Sequence, residues 1–101
     1  MYEIITLNDF NKILTNNLAV VVDFYADWCG PCKQIAPYYE QLSIQYPDIF
    51  FCKVNIEKGD EIASLCEISS LPTFLFYKNK KNIDEVIGTN KIEIQEKIKK
   101  L

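Results

Sequence analysis

The chain has 101 residues, 49% of them hydrophobic, and a net charge of -3 in which all eleven cations are lysines. That length makes one domain, residues 1–101, with enough chain for a single core, and no apolar run reaches membrane-spanning length. With no arginine and no basic cluster, neither a nucleic-acid groove nor a phosphate fork is expected.

Residues 2–5 are apolar enough for a short opening strand. Thr6 with Asp9 three residues on resembles a capping box, and Phe10, Ile13 and Leu14 then recur at helical spacing. Asn16 and Asn17 end that helix. Residues 18–25, Leu-Ala-Val-Val-Val-Asp-Phe-Tyr, are apolar on both parities, the mark of a strand covered on both faces. Asp23 is its one misfit.

The run Trp28-Cys29-Gly30-Pro31-Cys32-Lys33 follows, and Ile35, Tyr38, Tyr39, Leu42 and Tyr46 then predict a helix from residue 31 or 32 to 46, stopped by Pro47. Pro31 suits a first turn, whereas Pro37 removes an interior hydrogen bond and predicts a kink. Residues 49–56 read as the next buried strand, with Lys53 as its misfit. Gly59 and Asp60 open a short helix carrying Ile62, Leu65 and Cys66. Residues 73–77 and 83–87 are separated only by a polar turn, a spacing for an antiparallel hairpin. Gly88 ends the second strand. Asn90 with Glu93 caps a last helix with an apolar stripe of Ile94, Ile98 and Leu101, and Lys97, Lys99 and Lys100 suit its C-terminal dipole.

The order β-α-β-α-β-α-β-β-α implies an α/β protein with one mixed five-stranded sheet, parallel strands first and a C-terminal antiparallel hairpin last, flanked by about four helices. The Cys pair then lies at the carboxyl end of an interior strand, where open sheets of this kind place their chemistry.

Four cysteines are compatible with two structural disulfides, but the spacing is lopsided, one tight pair and then Cys52 and Cys66 alone. A core of this size needs no covalent staple, which favours a reducing compartment. The expected location is cytoplasmic, with no signal peptide visible, or organellar if a leader has been removed. Two thiols at a helix start can join, and the helix's unpaired N–H groups and positive dipole end stabilise a thiolate on the first. Cys29 is therefore the expected nucleophile, exposed at the helix start, and Cys32, one turn in, the less exposed resolving thiol. A structural disulfide is the alternative for the pair. Because nucleophilicity falls as thiol pKa falls, a lowered pKa on Cys29 accelerates attack little and helps more by making Cys29 a good leaving group.

Cys32 needs a base. A carboxylate in an apolar strand is costly to desolvate unless its pKa rises, and a raised pKa suits Asp23 to that task; an Asp23 turned to solvent or capping a helix is the other reading. Lys53, the misfit of the next strand, can be read as a snorkelling surface lysine. Trp28 is either a groove wall or ordinary core. Cys52 reads as a small core residue, and Cys66 as either core or a site of regulatory oxidation or dimer formation. Zinc wants four ligands, usually two close pairs, and one pair without histidine does not supply them.

The segment Val22-Asp23-Phe24-Tyr25-Ala26-Asp27-Trp28-Cys29-Gly30-Pro31-Cys32-Lys33 resembles the active-site segment of the thioredoxin family. The likeness runs almost end to end. Pro37 stands where thioredoxins carry a helix-kinking proline, Leu71-Pro72-Thr73-Phe74 resembles the family's cis-proline segment, and Gly88 matches the glycine that ends its last strand. The resemblance implies the thioredoxin fold and a protein-disulfide reductase. In it Cys29 attacks a client disulfide, Cys32 resolves the mixed disulfide, Asp23 serves Cys32 as base and Lys53 tunes Asp23. Gly30-Pro31 resembles the disulfide-reducing members, whereas oxidising or isomerising relatives usually carry a histidine there and glutaredoxins a Pro-Tyr pair.

The same resemblance implies a client groove over Cys29 framed by Trp28, Leu71 and Pro72, with Gly88 among the substrate-binding residues. It implies a monomer with no bound cofactor, thioredoxin reductase as electron donor, and disulfide-containing clients such as peroxiredoxins. Two departures stand out, Tyr25 where many members have tryptophan, and Asn79-Lys80-Lys81-Asn82 where a hairpin glycine is common. One asparagine there is expected in the left-handed conformation, and neither departure is expected to touch the chemistry. The different-class alternative is a binding or scaffold module of the same fold whose redox pair only regulates docking.

Overall fold

A computed structural model describes residues 1–101. Its elements are β1 (Tyr2–Glu3), α1 (Leu7–Asn16), β2 (Ala19–Tyr25), α2 (Gly30–Gln45), β3 (Phe50–Asn55), α3 (Asp60–Leu65), β4 (Thr73–Lys78), β5 (Lys81–Ile87) and α4 (Lys91–Ile98). The five strands form one sheet in the order β1-β3-β2-β4-β5. β3 pairs in parallel with β1 and β2, while β4 runs antiparallel to β2 and to β5. The expected thioredoxin fold, a mixed sheet with four helices, is the observed one.

Strand alternation divides the buried residues between two cores. Val20, Val22 and Phe24 of β2 face one way, with Cys52, Val54, Leu75 and Tyr77, and α1 and α3 cover them with Phe10, Ile13, Leu14 and Ile62. Val21, Phe51, Phe74 and Phe76 face the other way, under Ile35, Tyr39 and Leu42 of α2 and Ile94 and Ile98 of α4. Asp23 shares its parity with Val21 and so lies on the face that α2 covers. The Tyr39 hydroxyl donates into that face, 2.9 Å from the Val21 carbonyl and 2.7 Å from that of Cys52.

Local chemistry sets the element ends. Thr6 caps α1 by accepting from the Asp9 N–H at 3.1 Å, and Asn90 caps α4 by accepting from the Glu93 N–H at 3.0 Å. α2 runs through Pro37 without interruption, although that residue has no N–H to offer the Lys33 carbonyl. Two local expectations are corrected. Leu65 points to solvent at the end of α3 rather than into the core. β5 pairs Asn82 with Tyr77 and Asp84 with Phe76, so Ile83 is bulged out of the ladder and exposed. The hairpin turn holds the expected left-handed asparagine, Asn79 (φ 56°), and beside it a left-handed Lys80 (φ 69°), because a two-residue loop that matches strand twist requires positive φ at both positions.

Candidate active site

The central strand ends at Tyr25, and α2 begins five residues later, so the Cys pair sits where strand gives way to helix. Cys29 is the N-cap, and its sulfur accepts from the Cys32 N–H at 3.2 Å. Pro31 occupies the first turn, where no amide hydrogen is needed. Cys29 and Cys32 are joined by a disulfide.

The expected exposure of Cys29 is corrected, since Cys29 and Cys32 are 6% and 4% exposed. Ala26 packs against both, and Tyr25, Ile56 and Leu71 close around them. What distinguishes the two residues is the space each borders. Cys29 lines an open groove of about 410 Å³ with Trp28, Pro31, Ile56, Ile68 and Leu71 as its apolar walls. Cys32 lines a separate pocket of about 140 Å³ together with Asp23, Tyr25, Asp27 and Lys53.

Trp28 is 67% exposed and stands as a groove wall rather than as core. Leu71 forms part of the same wall, whereas Pro72 and Gly88 do not line the groove. The Leu71–Pro72 peptide is cis, and the Pro72 carbonyl accepts from the Gly88 N–H at 2.9 Å, tying the groove to the end of β5. Gly88 has φ +99°, a conformation that disfavours a side chain.

Asp23 is 4% exposed and its Oδ1 has no hydrogen-bond partner. Its cross-strand neighbours are Lys53 on β3 and Phe74 on β4. Burial pushes its carboxyl up to about 7, and the charge of Lys53 pulls it partway back. The two are not in ion-pair contact, the one such pair being Lys97 with Asp84 at 3.2 Å. Instead the Lys53 ammonium lies over the Tyr25 ring, 5.2 Å from its centroid.

Cys52 is buried as expected, and burial drives its thiol far above the ordinary range. Cys66 is half-buried with its sulfur 3.6 Å from the Tyr77 hydroxyl; burial raises its thiol and the contact with Tyr77 opposes the rise. No three His, Cys, Asp or Glu side chains gather into a metal site. Sequence reading did not find Ile56, Ile68 and Ser69 of the groove. Ile56 follows directly on β3 at the same sheet edge as the Cys pair, a signal that strand order alone would have supplied. Ile68 and Ser69 carried no local signal.

A Cys-x-x-Cys disulfide at a helix N-cap, beside a cis-proline and above a buried carboxylate, on this five-stranded sheet, defines a thiol–disulfide oxidoreductase. The Thioredoxin family model matches residues 2–100, and the chain belongs to the thioredoxin family. It is 41% identical to Thioredoxin 1 of Plasmodium falciparum over 99% of this chain and 97% of that one. Mitochondrial thioredoxin 3 of Saccharomyces cerevisiae, in its oxidised form, superimposes with a TM-score of 0.97 at 36% identity, covering 100% of this chain and 95% of that one. A chain from a study of thiol resolution in yeast mitochondrial 1-Cys peroxiredoxin through glutathione and thioredoxin systems matches with a TM-score of 0.97 at 35% identity, over the same shares of each chain. The protein is a protein-disulfide reductase that exchanges its Cys29/Cys32 dithiol for client disulfides through a mixed disulfide.

Proposed function

We propose that residues 1–101 work as one monomeric domain in which Cys29 attacks, Cys32 resolves and Asp23 is the base for Cys32. The Cys29 thiolate attacks one sulfur of a client disulfide; a Cys29–client bond forms, and the other client sulfur leaves as a thiolate. Cys32 then gives its proton to Asp23, and its thiolate attacks the Cys29 sulfur. The Cys29–Cys32 bond forms, the second client sulfur leaves, and two electrons have passed to the client. The electrons stay on sulfur throughout, so the cycle needs no bound cofactor.

The observation that carries these assignments is the separation of the two cysteines, Cys29 on the outer groove and Cys32 on the pocket that Asp23 lines. Gly30 and Pro31 set the helix start that favours a Cys29 thiolate, and Lys53 lowers the cost of ionising Asp23. Trp28 and Leu71 hold an extended client segment against the backbone ahead of Pro72, and Gly88 keeps that approach open. We assign thioredoxin reductase as the electron donor and disulfide-bearing proteins as clients, among them peroxiredoxins, the class named with the yeast neighbour. The free thiols of Cys52 and Cys66 suit a reducing compartment, the cytoplasm being our assignment.

Reduction of insulin disulfides with dithiothreitol as donor tests the roles. Cys29→Ser loses the activity, and Cys32→Ser accumulates mixed disulfides visible on non-reducing gels. An active Cys29→Ser protein, or no trapped species from Cys32→Ser beside an active wild type, refutes the order of attack.

A further inference from the structure

Across the face that α2 covers, strand register sets Glu3 of β1 opposite Lys53 of β3, and Lys53 opposite Asp23 of β2. One ammonium thus stands in a row between two carboxylates on neighbouring strands, a placement that invites pairing with either. It pairs with neither. The Tyr25 hydroxyl donates to Glu3 Oε1 at 2.7 Å, and the Tyr25 ring lies under the Lys53 ammonium at 5.2 Å. Tyr25 is two residues beyond Asp23 on the same strand and the same face, so one side chain occupies the competing carboxylate and seats the ammonium at the pocket that Asp23 lines.

We propose that Tyr25 is a positioning residue for the resolving step: by binding Glu3 through its hydroxyl and Lys53 through its ring, it keeps the Lys53 charge available to Asp23. The inference rests on Asp23 acting as base. The other groups facing Asp23 are Cys32, Lys33 and Tyr39 from α2, Asp27 from the loop after β2, and Cys52 from the far side of β3, while β4 presents only Phe74. Lys53 and Lys33 are the only cations among them, and Lys53 is the one in register with Asp23. Burial and the bond to Glu3 hold the Tyr25 phenol well above its ordinary range, so it remains a donor across the working pH.

Without Tyr25, Glu3 is released beside Lys53 on the adjacent strand and is the more solvated of the two carboxylates, so it takes the ammonium from Asp23. The test is the pH dependence of resolution of a preformed Cys29 mixed disulfide, read beside an NMR titration of the Asp23 carboxyl in the oxidised protein. Tyr25→Leu moves both midpoints up by about half a pH unit or more. Tyr25→Phe, which keeps the ring but frees Glu3, moves them less. Adding Glu3→Gln to Tyr25→Leu removes the competitor and returns them toward wild type. Unmoved midpoints in Tyr25→Leu, or no return in the double variant, overturn the inference. Asp23→Asn separates the two ideas: if it leaves the pH profile of resolution intact, the base assignment fails; if it abolishes the profile while Tyr25→Leu leaves the midpoints alone, only the role of Tyr25 fails.

Discussion

Burying Asp23 under α2 leaves one carboxylate oxygen unpartnered and lifts the carboxyl to about 7. Above about pH 4 the unfolded chain releases this proton, whereas the folded protein holds it until about 7. The unfolded state therefore binds fewer protons across that window, and stability falls as pH rises through it. The cost is fully present above the folded pKa and amounts to at most about 4 kcal/mol. Asp23→Asn removes it, so the stability difference between variant and wild type grows in the variant's favour from about pH 5 to about pH 8. Urea denaturation at the two pH values reads this difference, and a constant difference would show that Asp23 is not held protonated by the fold. Only the suspicion attached to an acid in an apolar run was legible in the sequence. Its partnerless oxygen and the aromatic seat of Lys53 depend on which residues of three strands come into register, and no local pattern encodes that. Tyr25 stood out only as a departure from the family pattern, not expected to touch the chemistry, because its contacts with Glu3 and Lys53 depend on the same register.

At the level of single elements the local signals were mostly readable, because caps, periodicity and punctuating prolines act over a few residues. The exceptions are positions where backbone geometry outvotes residue type. Lys80 sits at φ 69° and Glu67, just past α3, at φ 55°, both in the region that disfavours a side chain. At Lys80 glycine fits the turn better, so Lys80→Gly gains about 1 kcal/mol, a rise in Tm of about 4–8 °C by calorimetry. A lowered Tm would mean that Lys80 makes stabilising contacts that outweigh its backbone strain. Ile83 illustrates the opposite failure, since its hydrophobicity suggested a paired strand position and the bulge turns it outward. Cys29 is the third case. A helix start is ordinarily exposed, but Ile56 and Leu71, distant in sequence, close around this one.

Across the whole molecule, one mixed sheet ending in a hairpin was legible in the sequence of elements while the order of its strands was not, and the two cores follow from strand parity once the sheet exists. Their tightness shows at Gly59, where a β-carbon would stand 2.8 Å from Val54 Cγ1 and 3.3 Å from the Ile4 carbonyl oxygen. Val54 is a stiff, fully buried side chain with nowhere to go. Gly59→Ala is therefore expected to lose about 1–3 kcal/mol by denaturant unfolding, and an unchanged midpoint would show slack that this packing does not have. The two spaces flanking the disulfide carry a different implication. In the proposed cycle client sulfur arrives through the groove of Trp28 and Leu71 and the proton leaves on the side of Asp23 and Lys53; the two spaces border the same covalent bond and share no lining residue. Client choice and proton handling are thus independently adjustable: changes along the groove can retarget the protein without retuning its pH response, and changes in the Glu3–Lys53–Asp23 row can retune the pH response without altering what the groove accepts.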